Sequence, residues 1–358
     1  MKIYNVGGSV RDELLGVKTK DRDFVVVGST PEEMLSLGFK QVGAAFPVFL
    51  KDGEEYALAR TEKKIGNGYH GFETNFDPSV TLEQDLFRRD LTINAMARDM
   101  ETGVLIDPFN GLSDLYNKTL RHVSEHFAED PVRILRVARF AGRDKDFIIH
   151  PDTMLLMKQL VASEELAHVT SERIWLEFEK ALVQPYPSIF INVLHKCGAI
   201  DKLFPTVTKF HKDILSDIDY SKHVLELDEV MALMLLWNDY YDMLSILHTL
   251  KVPNHIEKFC INVHKAYIWA NSHHTHEDTV SLLNDIGAFK DSQLLPKIVR
   301  ATIFDNESYC YLLNCYHLVK NISFSDLTDE QKTKLKGPEI SKAIAKLRVE
   351  VLEINSKH

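Results

Sequence analysis

The sequence predicts an α+β fold, a mixed sheet with helices at the N-terminal end followed by an all-α remainder. Three observations predict it. The first sixty residues alternate short apolar strands with capped helices. Residues 170–182 form an amphipathic helical pattern behind a capping residue. Residues 223–320 carry Leu, Met, Trp and Tyr at helical spacing, the pattern of a packed helical core. A length of 358 residues suits two or three domains. We place them at 1–118, 119–205 and 206–358.

Composition narrows the class. A hydrophobic share of 45% and a charged share of 26% are those of an ordinary soluble protein. No apolar run reaches the length of a membrane span, and the N-terminus enters a strand rather than a signal peptide. Cys197, Cys260, Cys310 and Cys315 lack zinc-site spacing and fit a reducing cytoplasm. The formal charge of −10 counts against a nucleic-acid partner, so any RNA would have to bind local basic patches.

The chain opens with the apolar strand Met1–Val6, broken by Gly7 and Gly8. Ser9, with Asp12 three residues on, reads as the capping box of a helix that Gly16 closes. Strand, glycine turn and helix N-terminus together offer backbone N–H groups to a phosphate. Asp21 and Asp23 then open the run Phe24–Val27. Residues i and i+2 of a strand share a face, so both carboxylates aim at one spot while Arg22 points away. Two oxygen donors beside a phosphate cradle suit a hard divalent ion.

Thr30-Pro31-Glu32-Glu33 starts the next helix, which Gly38 ends. Strands at about 47–50 and 55–59 complete a small sheet. Glu55 is either a third carboxylate for the metal or an exposed strand residue. Residues 61–84, with three glycines, mixed charge and no clear period, read as a long functional loop. Arg88 and Arg89 precede Asp90, which can cap a following helix. Val104–Asp107 reads as a strand, and Pro108–Asp114 as a turn. Glu129-Asp130-Pro131 then opens a helix. At about 100° per residue its Arg133, Arg136 and Arg139 fall within an arc of roughly 120°. Ile134, Leu135, Val137, Ala138 and Ala141 take the remaining, buried sides.

Gly7-Gly8-Ser9-Val10-Arg11-Asp12 with Asp21-Arg22-Asp23 resembles the polymerase-beta-like nucleotidyltransferase head of class II CCA-adding enzymes and bacterial poly(A) polymerases. The resemblance runs through Arg88–Ala97, Pro108–Asp114, Glu129–Arg133 and Thr170–Leu182, about half the chain. It implies a head at 1–118, a helical neck and body at 119–205 bearing a nucleotide-selecting helix, and a helical body and tail at 206–358. It implies further that Asp21 and Asp23 bind Mg²⁺ and are catalytic. Gly8 and Arg11 hold the triphosphate, and Arg89 contacts the nucleotide. The Glu-Asp-x-x-Arg element ending at Arg133 selects the base. Cytosine and adenine both present an amino donor beside a ring-nitrogen acceptor. The Asp130 carboxylate can accept from the first and the Arg133 guanidinium donate to the second, whereas uracil and guanine face Arg133 with N–H. Arg136 and Arg139 would hold the phosphates.

The resemblance also makes Thr170–Leu182 a neck support, and Pro108–Asp114 structural or hinge-like. Leu235-Leu236-Trp237-Asn238-Asp239 stands where many relatives carry the His-Asp pair of a phosphohydrolase, so no such motif is evident. His273, His274 and His276 read as a polar loop rather than a metal site. The helix from Gly337 onward reads as basic and amphipathic, resembling a tail that cradles tRNA. The reading is a cytoplasmic enzyme, a monomer favoured, that adds C, C and A to tRNA lacking all or part of its 3′ CCA, using CTP and ATP. The 61–84 segment favours the complete activity over CC addition. Poly(A) polymerase and a catalytically silent tRNA-binding protein are the other readings.

Overall fold

A computed structural model describes residues 1–18, 22–42, 48–64, 72–205, 219, 225–302 and 307–356. Asp21 and residues 65–71 lie outside them. The chain divides into two units, Met1–Thr206 and Val207–His358.

The first unit carries strands β1 (Lys2–Val6), β2 (Asp23–Val27), β3 (Lys40–Val42), β4 (Val48–Lys51), β5 (Glu54–Leu58), β6 (Thr61–Lys64), β7 (Phe72–Asn75), β8 (Ala97–Asp99) and β9 (Leu105–Ile106). Seven of them form one mixed sheet in the order β3-β4-β5-β2-β1-β8-β9. The pair β2–β5 is parallel and the other neighbours are antiparallel. Side chains alternate between the faces. Val25 packs with Tyr4, Val6 and Leu86 on one, while Val26 packs with Met34, Phe39 and Phe49 on the other. Both faces are covered, which is why Phe24–Val27 is apolar throughout rather than alternating.

Helices α1 (Gly8–Leu14), α2 (Pro31–Ser36), α3 (Leu82–Phe87) and α4 (Gly111–Tyr116) surround the sheet. The short strands Thr119–Leu120 and Ile148–Ile149 pair in parallel beyond it. Helices α5 (Val132–Ala141), α6 (Pro151–Ala162), α7 (Ser171–Leu182), α8 (Pro187–Cys197) and α9 (Ala199–Leu203) complete the unit, with α5 packed on α7 and α8. Thr30 caps α2 through the expected box with Glu33, behind Pro31.

Four sequence expectations change. Ser9 does not cap α1: the capping position is Gly7 at φ 73°, and Ser9 lies inside the helix, its hydroxyl donating to the Asn5 side chain at 2.5 Å. At φ 73° and ψ −127° the backbone of residue 7 favours glycine, which has no side chain to bond the turn. Asp90 caps no helix either, because Leu91 precedes the single 3₁₀ turn Thr92–Asn94. Residues 61–84 are not one loop. β6 and β7 pair antiparallel, Thr61 opposite Asn75, and α3 begins at Leu82 behind a Thr81–Gln84 capping box. Thr-Glu-Lys-Lys lacks alternating apolar residues, so backbone pairing forms this hairpin without a sequence period. β3 likewise carries no strand pattern in sequence, its Lys40-Gln41-Val42 being mostly polar.

The second unit is helical among its described residues: α10 (Leu227–Leu235), α11 (Tyr240–Leu250), α12 (Asn254–Ala270), α13 (His276–Asp285), α14 (Leu294–Arg300), α15 (Glu307–Val319), α16 (Asp329–Lys334) and α17 (Pro338–Asn355). The fourth correction concerns α17. It is amphipathic but not basic, because Lys342, Lys346 and Arg348 are matched by Glu339, Glu350 and Glu353. Arg348 moreover is buried, its guanidinium 3.4 Å from the Phe289 ring centre.

Close packing fixes one glycine. A β-carbon on Gly111 would stand 2.2 Å from the Thr92 carbonyl oxygen. Gly111→Ala should therefore destabilise the first unit by about 2–4 kcal/mol in urea unfolding. Gly16→Ala, where a β-carbon meets open space but φ is +71°, should cost only about 1–2 kcal/mol.

Candidate active site

One side of the first unit opens into a cavity of about 730 Å³ lined from both the sheet and the helices behind it. Gly7, Gly8 and Arg11 come from the β1–α1 turn, and Asp23 from the start of β2. Arg89 and Asp90 follow α3, while Asp130, Arg133, Arg136 and Arg139 belong to α5 and its entry. Among the described residues the lining holds nine arginines and one lysine against five carboxylates. In a chain of formal charge −10 this is a local reversal of sign, and it is what an anionic ligand requires.

The turn is shaped for close approach. Gly7 donates its N–H to the Met96 carbonyl at 3.1 Å, and a β-carbon on it would stand 2.7 Å from Arg89 Nη1. Asp23 begins β2 exposed, and the parallel pairing sets it directly beside Glu55 on β5. Residues in register share a face, so the two carboxylates stand side by side. Neither has a hydrogen bond or ion pair to a described residue. Arg22 turns to the other face, over the Phe24 ring and onto Glu54.

Most arginines of the cavity wall are held by internal carboxylates. Arg136 donates to Asp90 Oδ2 from both Nε and Nη2 at 2.7 Å. Arg139 Nε donates to Glu177 Oε2 at 2.6 Å, and Arg136 Nη1 lies 4.0 Å from the same carboxylate. Asp90 also accepts from the Leu91 backbone N–H at 2.8 Å and from the Asn94 side chain at 3.0 Å. Burial alone would raise the Asp90 pKa, but Arg136 and the Asn94 amide outweigh it and hold the carboxyl well below its usual range. Asp90 in turn raises the pKa of Arg136. Arg11 is buried, bonded to Asp12 and to the Asn94 side chain, and burial lowers its pKa.

The base-selecting pair is also engaged. Arg133 donates from Nη1 to the His126 carbonyl and from Nη2 to the Arg88 carbonyl, each at 2.7 Å. Asp130 Oδ2 accepts from Arg173 at 2.7 Å, and Oδ1 accepts from the Val132 N–H at 3.2 Å. Arg89 reaches Asp85 at 3.2 Å, yet its Nε is buried with no partner among the described residues. A buried orphan donor is a group that a bound ligand would satisfy.

The structure thus brings Gly8, Arg11, Asp23, Arg89, Asp130, Arg133, Arg136 and Arg139 to one cavity. Asp21 lies outside the described residues. Sequence reasoning missed Asp90 as a buried junction, and Arg173 and Glu177 as partners of α5. Arg173 and Glu177 are four apart on α7, opposite in charge and facing the arginine stripe of α5, a spacing that carried the signal. The histidine cluster brings no set of metal-ligand atoms together; among the described residues only Glu226, Asp228 and Glu229 do so.

Known proteins resemble this chain in sequence and in fold. Residues 3–121 match the model of the Poly A polymerase head domain, and residues 146–210 that of a probable RNA and SrmB-binding site of polymerase A. A Multifunctional CCA protein of Azoarcus sp. (strain BH72) is 52% identical over 239 residues, 65% of this chain and 58% of that protein. The chain spans between 51% and 58% of the length of the curated relatives compared. A structure described as a CCA-adding enzyme with CTP aligns at TM-score 0.70 and 26% identity, covering 98% of this chain and 86% of the other. One described as a CCA-adding enzyme with ATP aligns at 0.71 and 25%, covering 98% and 85%. No helix among the described residues is long and apolar enough to cross a membrane.

The Asp90 network sets a pH dependence. Its pKa is depressed on folding, so its stabilisation is complete above the unfolded value near 4 and is lost as pH falls below it. Asp90→Asn should cost about 2–3 kcal/mol in urea unfolding at pH 7, leaving Arg136 short of a charge partner. The gap between the two proteins should close progressively below about pH 4.

Proposed function

The chain belongs to the family of bacterial CCA-adding enzymes that carry the poly(A) polymerase head, and on that premise we propose that it adds C, C and A to the 3′ end of tRNA. Its substrates are CTP, ATP and tRNA lacking all or part of its CCA end, and it works in the cytoplasm. The tRNA 3′-hydroxyl attacks the α-phosphate of the nucleotide. A phosphodiester bond forms, the bond to the β-phosphate breaks, and pyrophosphate leaves. The observation that carries this reading is the arginine-rich cavity in which a glycine turn, Asp23 and the Asp130–Arg133 pair line one space.

Nucleotidyltransferases of this family use divalent metal ions, and we assign Mg²⁺ to Asp21 and Asp23. The adjoining carboxylates of Asp23 and Glu55, unpaired with any cation among the described residues, are the hard oxygen donors such an ion takes. Bound there, it would lower the hydroxyl pKa and offset charge on the pyrophosphate. Gly8 and Arg11 position the triphosphate, Arg89 offers its orphaned Nε, and Arg136 and Arg139 supply positive field along the phosphates. Asp130 and Arg133 read the amino group and ring nitrogen shared by cytosine and adenine. Excluding uracil and guanine costs those bases a buried donor without an acceptor. For this reading Asp130 and Arg133 exchange their present protein partners for the base.

The test is extension of tRNA lacking its CCA end, with product lengths resolved. CTP and ATP together should add three nucleotides and then stop. A long ladder with ATP alone would identify a poly(A) polymerase, and arrest after two C residues a partial enzyme. Asp23→Ala should lower kcat by 10³-fold or more with tRNA binding retained, and chelation by EDTA should abolish extension reversibly. Asp130→Ala should reduce the preference for CTP over UTP by about 10- to 100-fold.

A further inference from the structure

The second unit contains a groove that the nucleotide chemistry does not use. It has a volume of about 380 Å³ and is lined by His274, Thr275, His276, Glu277, Tyr311 and Glu353. The elements are the entry and first turn of α13, the first half of α15 and the last turn of α17.

One wall is aromatic. His274 lies against Trp269, ring centres 3.9 Å apart, and Tyr311 stands parallel to Trp269 at 6.3 Å, with planes 7° apart. His274 and Tyr311 are 5.9 Å from each other. The backbone carbonyl of Ser272 lies 3.0 Å from His274 Nδ1, so in the neutral ring Nδ1 donates and Nε2 presents a lone pair. The groove therefore combines aromatic rings with acceptor atoms.

The carboxylates add negative charge that no described residue pairs. Glu277 and Glu353 are exposed, and the side chain of neither has a hydrogen bond or ion pair to a described residue. Glu277 sits in the first turn of α13, where the helix dipole favours it. Glu353 sits at the opposite kind of end, in the last turn of α17, with no basic residue in that turn. A carboxylate there faces the negative pole of its own helix and is destabilised. A cation beside Glu353 would relieve that repulsion, and the aromatic wall would add attraction for it.

The groove is broader than a bare metal ion needs, and its imidazole and carboxylate atoms do not converge as a ligand set. Two separate carboxylates and a ring wall match instead an extended molecule with more than one ammonium group. We propose that this groove binds an aliphatic polyamine, its ammonium groups meeting Glu277 and Glu353 and its chain lying along His274 and Tyr311.

The test is calorimetric titration of the intact chain with spermidine, with Trp269 fluorescence as a second readout. Binding should saturate in the wild type and weaken at least tenfold in Glu353→Gln and in Glu277→Gln. Glu330→Gln, which removes the same charge from α16, should bind as the wild type does. Unchanged affinity in both groove variants would overturn the assignment. Equal weakening in Glu330→Gln would overturn it too, by showing attraction to an acidic surface in general. Zinc chloride binding more tightly than spermidine, and failing in His274→Ala, would make the groove a metal site and end the polyamine reading.

Discussion

The first unit depends on the contact between Asp90 and Arg136. A carboxylate that is 5% exposed survives as a charge only if its partners replace water. Here a guanidinium fork, a backbone N–H and an amide do so. Asp90 follows α3, whereas Arg136 lies on α5, so one bond joins the sheet region to the arginine helix. The linkage continues through Glu177 to Arg139, and α7 is thereby held against α5 by charge as well as by apolar packing. Bonds of this kind strengthen one another where water is excluded. The same carboxylates keep clustered arginines from repelling one another before any ligand arrives.

That interleaving resolves the conflict posed by composition. A formal charge of −10 argues against phosphate-rich partners only if charge is spread evenly. Most of the arginines between residues 60 and 173 instead converge on one cavity. Net charge describes the far field of a protein, while recognition is decided by the nearest few charges, within about a Debye length of 8–10 Å.

Much of this was legible in the sequence, for definite reasons. Strand β2 announced itself because Phe24–Val27 is buried on both faces. The α2 cap was readable because Thr30, Pro31 and Glu33 satisfy backbone groups within one turn. The α5 stripe was readable because Arg133, Arg136 and Arg139 recur at helical period. What stayed hidden was long-range or backbone-driven. Asp90 looks like a cap in isolation, and only Arg136, 46 residues away, shows it to be a junction. The β6–β7 hairpin is polar in sequence, its register set by main-chain pairing. Gly7 displaces Ser9 as the cap because the φ there is positive, which no side-chain pattern reports. The charge balance of α17 is readable by counting, since Glu339, Glu350 and Glu353 match Lys342, Lys346 and Arg348.

The contact between Gly111 and the Thr92 carbonyl bears on how such a protein can diverge. Thr92 lies in the turn between Asp90 and Asn94, and its hydroxyl also donates to Asp114 at 2.8 Å. The Pro108–Asp114 segment, which supplies no cavity residue, therefore acts as a mould against which the functional turn is cast. Drift in that segment is restricted to sequences keeping a side-chain-free residue at 111 and an acceptor at 114. A lineage could lose the chemistry of the cavity altogether and still keep this imprint, because the imprint is demanded by packing.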